Sequence, residues 1–343
     1  MDVKHRKQVL LIFTLFIVVV LVFCLQYLLK TEVVYGFIDR KGEYHITPQY
    51  TYAESFSEGY AKIKTQKGSG YGYIDKDSNI KTATKFHLAH GFSEGTAVFC
   101  TPNGKWGLIN TKGEVVLESQ YDIIDDMSEG LIGVIVDKKK GYIDKNGVLK
   151  ITPEYGWISR FTEGKAAVSL NGKYGFINKD GRITIDFRYD GAMAFSEGLA
   201  LVKVKGKWGY INNTGELIIE AKYDYAKSFS NGLALIKDDY GKYGYINKLG
   251  NIAIKPAYNN AKSFSEGLAC VKVDDHWAYI DIEGKMVIKT KYDYACSFSE
   301  GLARIVSSKK LGFIDNEGNV VIKHRFDYAE DFSEGLSLVS VRK

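Results

Sequence analysis

Read for its alternation of apolar and polar positions, the chain falls into two parts. From Val9 to Leu29 no residue is charged and only Thr14 and Gln26 interrupt the apolar run. Its 21 residues would form a helix of roughly 31 Å at about 1.5 Å per residue, which matches a hydrocarbon core of about 30 Å. Beyond Tyr35 the apolar period shortens to two and the chain breaks into short runs separated by Gly, Asn and Asp, the signature of small strands and tight turns. In Gly198 to Phe229, Leu199 to Lys205 alternates, Gly206 and Lys207 turn, Trp208 to Asn212 is extended, and Asn213, Thr214 and Gly215 precede a third run, Leu217 to Tyr223. That order predicts a three-stranded meander.

The meander recurs. Tyr35-Gly36-Phe37-Ile38-Asp39 returns around Gly72, Gly107, Gly141, Gly175, Gly209, Gly244, Ala278 and Gly312, and Phe56-Ser57-Glu58-Gly59 returns at eight later positions ending at Gly335. Within every unit the two glycine positions are 23 residues apart, whereas 11 to 13 residues separate the second from the next unit's first. Length variation is thus confined to one loop, and nine units with a period of 34 to 36 residues make a tandem array. In the central strand Ile38 and its equivalents share a buried face with the preceding glycine, which predicts a close backbone approach. In the first strand, pairs such as Ala61 and Ile63 or Ala200 and Val202 predict tight inward packing. Asp39 to Gly42 and its equivalents have the order of a type I turn, Asx first and Gly fourth. Pro48, Pro153 and Pro256 occupy one position in the last strand, which predicts that this strand is short.

These blocks resemble the WG, or KWG, repeat family, whose pattern runs Trp-Gly-Tyr-Ile-Asp, Gly, an apolar strand, Tyr-Asp and Phe-Ser-Glu-Gly-Leu-Ala. The resemblance covers Tyr35 to Arg342 and implies a mostly bacterial family of undefined molecular role. Units of three short strands cannot bury two apolar faces alone, so the expected fold is all-β, nine three-stranded meanders stacked as an elongated solenoid or superhelix. A closed propeller-like ring is the alternative: the array begins at a central-type strand near Tyr35 and ends on an isolated first-type strand, Leu336 to Val341, which could pair with it.

Charge then orients the chain. Lys4, Arg6 and Lys7 precede the apolar run, so the positive-inside bias predicts a cytoplasmic tail over 1–8, an uncleaved transmembrane helix over 9–29 and an array over 30–343 outside the cytoplasmic membrane, on the bacterial surface or in the periplasm. A cleaved signal peptide is the rival, but Phe23 to Lys30 offers no small-residue cleavage site. The net charge of +5 is concentrated in that N-terminal segment, leaving the array near +2 and nucleic acid binding unsupported. Cys24, Cys100, Cys270 and Cys296 fall at different places and suggest free thiols, with a bridge between Cys270 and Cys296 as the weaker reading.

No cofactor-binding loop, nucleophile elbow or paired-carboxylate arrangement stands outside the repeat. His87 and His90 lack a third histidine nearby and predict no metal site. The glutamate row Glu58, Glu94, Glu129, Glu163, Glu197, Glu266, Glu300 and Glu334, with Asn231 as its exception, could hold cations, but reads first as a turn feature. Catalytic residues, metals and cofactors are therefore not expected. One variable column is rich in aromatics, namely Tyr52, Trp157, Tyr225, Tyr294 and Tyr328, and is the candidate binding row; its other reading is cover for neighbouring units. The expected function is a membrane-anchored, non-enzymatic scaffold for a protein partner, with a cell-envelope glycan-binding module as the alternative and an envelope hydrolase as a distant third.

Overall fold

The computed structural model describes residues 32–68, 70–289 and 292–342. The membrane helix expected at Val9 to Leu29 lies outside them, and none of the described residues forms a helix long and apolar enough to cross a membrane. The array is all-β: nine four-stranded antiparallel sheets. One of them shows the plan, with an innermost strand Gly191–Ser196, a second Leu199–Val204, a third Lys207–Ile211 and an outermost Leu217–Tyr223, bonded in that order. The sequence resolves the last three, because each shows two-residue alternation. It hides the innermost, which in seven of the nine sheets is a two-residue ladder such as Tyr52–Ala53 or Trp157–Ile158, too short for any periodicity.

The expected solenoid is replaced by its alternative, a closed ring of nine blades. Eight sheets are built from consecutive strands, and the ninth joins the two ends of the array. Its inner strands, Tyr328–Ala329 and Ser337–Arg342, come from the C-terminal end, and its outer strands, Val33–Ile38 and Tyr44–Tyr50, from the N-terminal end. Six residue pairs close the seam, from Val33 opposite Arg342 to Ile38 opposite Ser337. The physical reason lies in the phase of the array. Beginning on a third strand and ending on a second leaves two half-sheets, and only joining them satisfies both edges.

Two belts of hydrogen bonds run round the narrow side of the ring. Each Ser or Thr of the Phe-Ser-Glu-Gly block donates its hydroxyl to the carbonyl of the next sheet's Phe or Met, from Ser57 to Phe92 onward, and Ser333 returns to Phe56 at 2.8 Å. One residue further, each Glu accepts from backbone amides of the next sheet's Glu-Gly pair, and Asn231 uses its amide oxygen in the same way. Glu334 closes this belt on the Gly59 amide at 2.9 Å. Equivalent residues lie one side-chain length apart here, so the two-residue strands face the centre. The glutamates sit in turns as the sequence predicts, but their carboxylates bond the next blade instead of their own turn and so hold adjacent blades together.

Apolar cores lie between blades. Leu201, Tyr210 and Ile219 of one sheet pack on Phe229, Ala234 and Ile236 of the next, and the same cluster forms across the seam from Phe37, Ile46 and Leu338 with Phe56, Ala61 and Ile63. The Asx turns form as expected: Gly42 donates to the Asp39 carbonyl at 2.9 Å, while the Asp39 carboxylate accepts from the Lys41 and Glu43 amides. Lys81 beside Asp75, with the Asn79 groups of the same turn, holds that carboxyl down at about 2.

Two expectations about the last strand are corrected. In eight of the nine sheets it spans seven residues instead of being short, and it carries Pro48, Pro153 and Pro256 mid-strand. Proline is tolerated there because this is the sheet's free outer edge and the register shifts around it. The close approach of the central glycine is also to this strand rather than to a neighbouring layer, since a Cβ on Gly36 would lie 2.5 Å from the Ile46 carbonyl oxygen and 2.6 Å from the Pro48 nitrogen.

Candidate interaction surface

Each residue of the expected aromatic row, Tyr52, Trp157, Tyr225, Tyr294 and Tyr328, begins an innermost strand. The row therefore rings the central opening at one end. Its members are not free-standing: Trp157 packs on Tyr174 at 5.5 Å, Tyr225 edge-on to Tyr243 at 5.8 Å and Tyr52 edge-on to Tyr71 at 5.3 Å. Tyr52, Trp157 and Tyr225 are half-buried, and Tyr294 and Tyr328 are 42% exposed. Lysines add cation–π contacts, with the Lys262 ammonium 4.5 Å from the Tyr294 ring. Each of these rings thus packs on a neighbouring ring and stays partly exposed.

A groove runs between adjacent blades along the innermost strands, and its variable positions were missed from the sequence. Between the fifth and seventh innermost strands it measures 390 Å³ and is lined by Met193, Leu201, Lys227 and Ser263 among others. At the corresponding place next to the seam it measures 440 Å³ and is lined by Ser55, Arg304, Tyr328, Glu330 and Asp331 among others. One column decides the difference. Its members are Lys62, Val98, Gly133, Ala167, Leu201, Leu235, Cys270, Arg304 and Leu338, so two cations sit in an otherwise apolar or small series.

Each of the two cations has its own carboxylate. Arg304 Nε bonds Asp331 at 2.6 Å, its Nη1 reaches the Ala329 carbonyl, and despite burial this pairing raises its affinity for the proton. Lys62 is buried, bonds the Glu54 carboxylate and the Ala89 carbonyl at 2.6 Å each, and lies over the Tyr52 ring. Across the seam the Ser55 hydroxyl donates to Glu330, which also accepts from Tyr328 at 2.8 Å. Further round, Asp126 joins His90 at 2.8 Å and Arg160 at 2.6 Å; burial opposes its charge, but these partners keep its carboxyl below the usual range. Comparing the nine units column by column would have exposed these exceptions; the aromatic criterion did not. Cys270, in the same column, is buried, and burial pushes its thiol up to about 12.

The two faces of the ring carry opposite charge. Lys76 with Glu334, Lys179 with Glu129 and Lys248 with Glu197 show that the Ser-Glu-Gly turns and the Asx turns share one face. There, residues 57–59 and 39–43 with their equivalents carry twenty acidic side chains against nine Lys and Arg. Pairs such as Lys105 with Asp122, Lys173 with Asp190 and Lys207 with Asp224 tie the second-to-third-strand hairpins to the inter-blade corners on the other face. Residues 64–71 and 51 with their equivalents, including 340–342 and 32–35 at the seam, carry sixteen Lys and Arg against eleven acidic residues there.

A model of the WG containing repeat matches nine consecutive segments, from residues 35–68 through to 312–343. Among curated protein sequences none matches this chain. Similar solved structures include the computationally designed Ika8 protein (12% identity, 79% of this chain and 95% of that one, TM-score 0.46). BamB from Moraxella catarrhalis is similar at 11% identity over 83% of this chain and 95% of that one, with a TM-score of 0.44. Hsv2 from Kluyveromyces lactis follows at 14% identity over 56% of this chain and 73% of that one, TM-score 0.38. At these scores they add nothing to the fold already read from strand pairing.

Proposed function

The chain belongs to the WG-repeat family, and from that membership and its closed ring we propose a membrane-anchored, non-enzymatic scaffold that holds a protein partner outside the cytoplasmic membrane. The observation that carries this reading is where the units differ. Recurring polar side chains are engaged in joining blades, whereas the inter-blade grooves differ in chemistry, charged beside the seam at Arg304, Glu330 and Asp331 and apolar at Met193 and Leu201. A rigid rim whose adjacent grooves differ in this way suits recognition of one extended protein surface. The polar exceptions of these grooves are paired with one another, which disfavours a free catalytic group.

The test compares the detergent-solubilised full chain with Arg304→Leu/Asp331→Ser, which copies the groove residues Leu201 and Ser228. Replacing both members of this half-buried pair leaves neither charge unpaired, so folding should be nearly unchanged. Partner capture from envelope extract should fall about tenfold, the cost of one interface anchor at roughly 1.4 kcal/mol. A second variant, Trp157, Tyr225, Tyr294 and Tyr328 all to Ala, tests the aromatic row, with purified cell-wall glycan as a parallel bait. Retention of every protein partner by both folded variants would contradict the reading, and glycan capture lost with the aromatic row would establish the glycan-binding alternative instead.

A further inference from the structure

The third strand of the ninth blade starts at Val33, which is exposed and pairs with Arg342 at the end of the neighbouring strand. Its start therefore lies on the basic face, level with the hairpins between second and third strands. Only Lys30, Thr31 and Glu32 separate it from the apolar run ending at Leu29. Three residues reach at most about 10 Å. A chain anchored through that run has no slack with which to hold the ring away from the bilayer, nor to turn its acidic face inward.

The chemistry of that face agrees with this placement. The exposed hairpin residues Lys67, Lys138, Lys139, Lys205 and Lys309 and the exposed strand-end Arg342 all point their charge to this side. All four tryptophans lie towards the same side, Trp106 and Trp208 half-buried in third strands, Trp157 half-buried at the start of an innermost strand and Trp277 buried in a third strand. Lys203 lies over the Trp208 ring and Lys237 over the Tyr243 ring, so cation and aromatic recur side by side. Tyr and Trp with Lys are the residue types that settle at a headgroup layer, where rings meet apolar carbon and ammonium meets phosphate.

We propose that this basic, aromatic-bearing face of the ring docks on anionic lipid headgroups, leaving the acidic face and the acidic end of the central opening turned away from the membrane. The inference rests on the proposed membrane anchor, and the experiment reads the two separately. Full-length protein is reconstituted into vesicles of phosphatidylcholine and phosphatidylglycerol in which part of the phosphatidylcholine carries a headgroup nitroxide, a short-range quencher of tryptophan. Resistance to an alkaline carbonate wash reports the anchor, and quenching reports the face. Strong quenching is expected, reduced by roughly half or more when salt is raised from 0.1 M to 1 M and the Debye length falls from about 10 Å to about 3 Å. The same reduction is expected for Lys138→Glu/Lys139→Glu/Lys205→Glu/Lys309→Glu at low salt, and in vesicles of phosphatidylcholine alone. Wash-resistant protein whose emission is unquenched would overturn the docking while leaving the anchor standing. Salt-sensitive quenching of protein stripped by the wash would overturn the anchor and still support the face.

Discussion

One residue that ties each blade to the next is one that backbone preference opposes. Every glutamate of the Phe-Ser-Glu-Gly block, and Asn231 in its place, adopts a positive φ between 50° and 55°. Such a conformation is uncommon for a residue with a branched or long side chain, and asparagine enters it more readily than glutamate. Glutamate is nonetheless used in eight of nine units because its carboxylate spans to the next blade's amides, a charge-assisted bond worth about 1.5–3 kcal/mol. Removing the carboxylate from Glu163, which bonds the Gly198 amide at 3.1 Å, should therefore destabilise the ring. We expect Glu163→Ala to cost about 1–2 kcal/mol in denaturant unfolding, and Glu163→Gln less than half of that, since Asn231 shows that a neutral oxygen can serve the same amide. Equal loss in both variants would mean that charge alone matters, and no loss in either would remove the belt from the account.

At the scale of the element, the pairing of third and outermost strands explains why one position is glycine in every unit but one. A Cβ at Gly209 would stand 2.5 Å from the Ile219 carbonyl oxygen and 2.7 Å from the Ala221 nitrogen, because the outermost strand bulges towards it between its paired residues. In the seventh blade alanine takes this place, and there the strands meet differently: Ala278 pairs directly with Lys289 and the described outermost strand, Met286–Lys289, has a single register shift. Gly209→Ala should consequently cost about 3 kcal/mol or more, at the upper end of overpacking penalties, whereas Ala278→Gly should cost only about 0.5–1 kcal/mol through backbone entropy. Thermal unfolding of the two variants checks this, and similar losses would contradict it. The same comparison shows what the sequence could and could not disclose. The glycine and the Asx turns were legible because each marks a backbone constraint local to a few residues. The two-residue innermost strand was not, since Trp157 and Ile158 give no period to read, and the length of the outermost strand was misjudged because Pro48 does not interrupt an edge that lacks an outer partner. The charged grooves were legible only by comparing columns, where Lys62 and Arg304 depart from alanine, valine and leucine.

For the whole molecule, ring and solenoid differ in one consequence: whether the two ends of the array meet. Their local strands, turns and inter-blade packing would be nearly the same, which is why repeat length and apolar pattern left both open, and why the phase of the array, from Tyr35 to Val341, was the informative feature. Closure also carries the functional reading, since the groove beside the seam draws Ser55 from the first unit and Arg304, Glu330 and Asp331 from the last two. Val34 and Val341 are paired across the seam, and Cα atoms of antiparallel partners lie about 4.5–5.5 Å apart, within the range a disulfide spans. The most direct measurement is therefore peptide mapping of oxidised, full-length Val34→Cys/Val341→Cys. The ring predicts a link between these two cysteines within one chain, formed nearly completely under mild oxidation, with Cys270 left reduced in its buried site. Cysteines that remain reduced, or that join only between different chains, would contradict a closed ring.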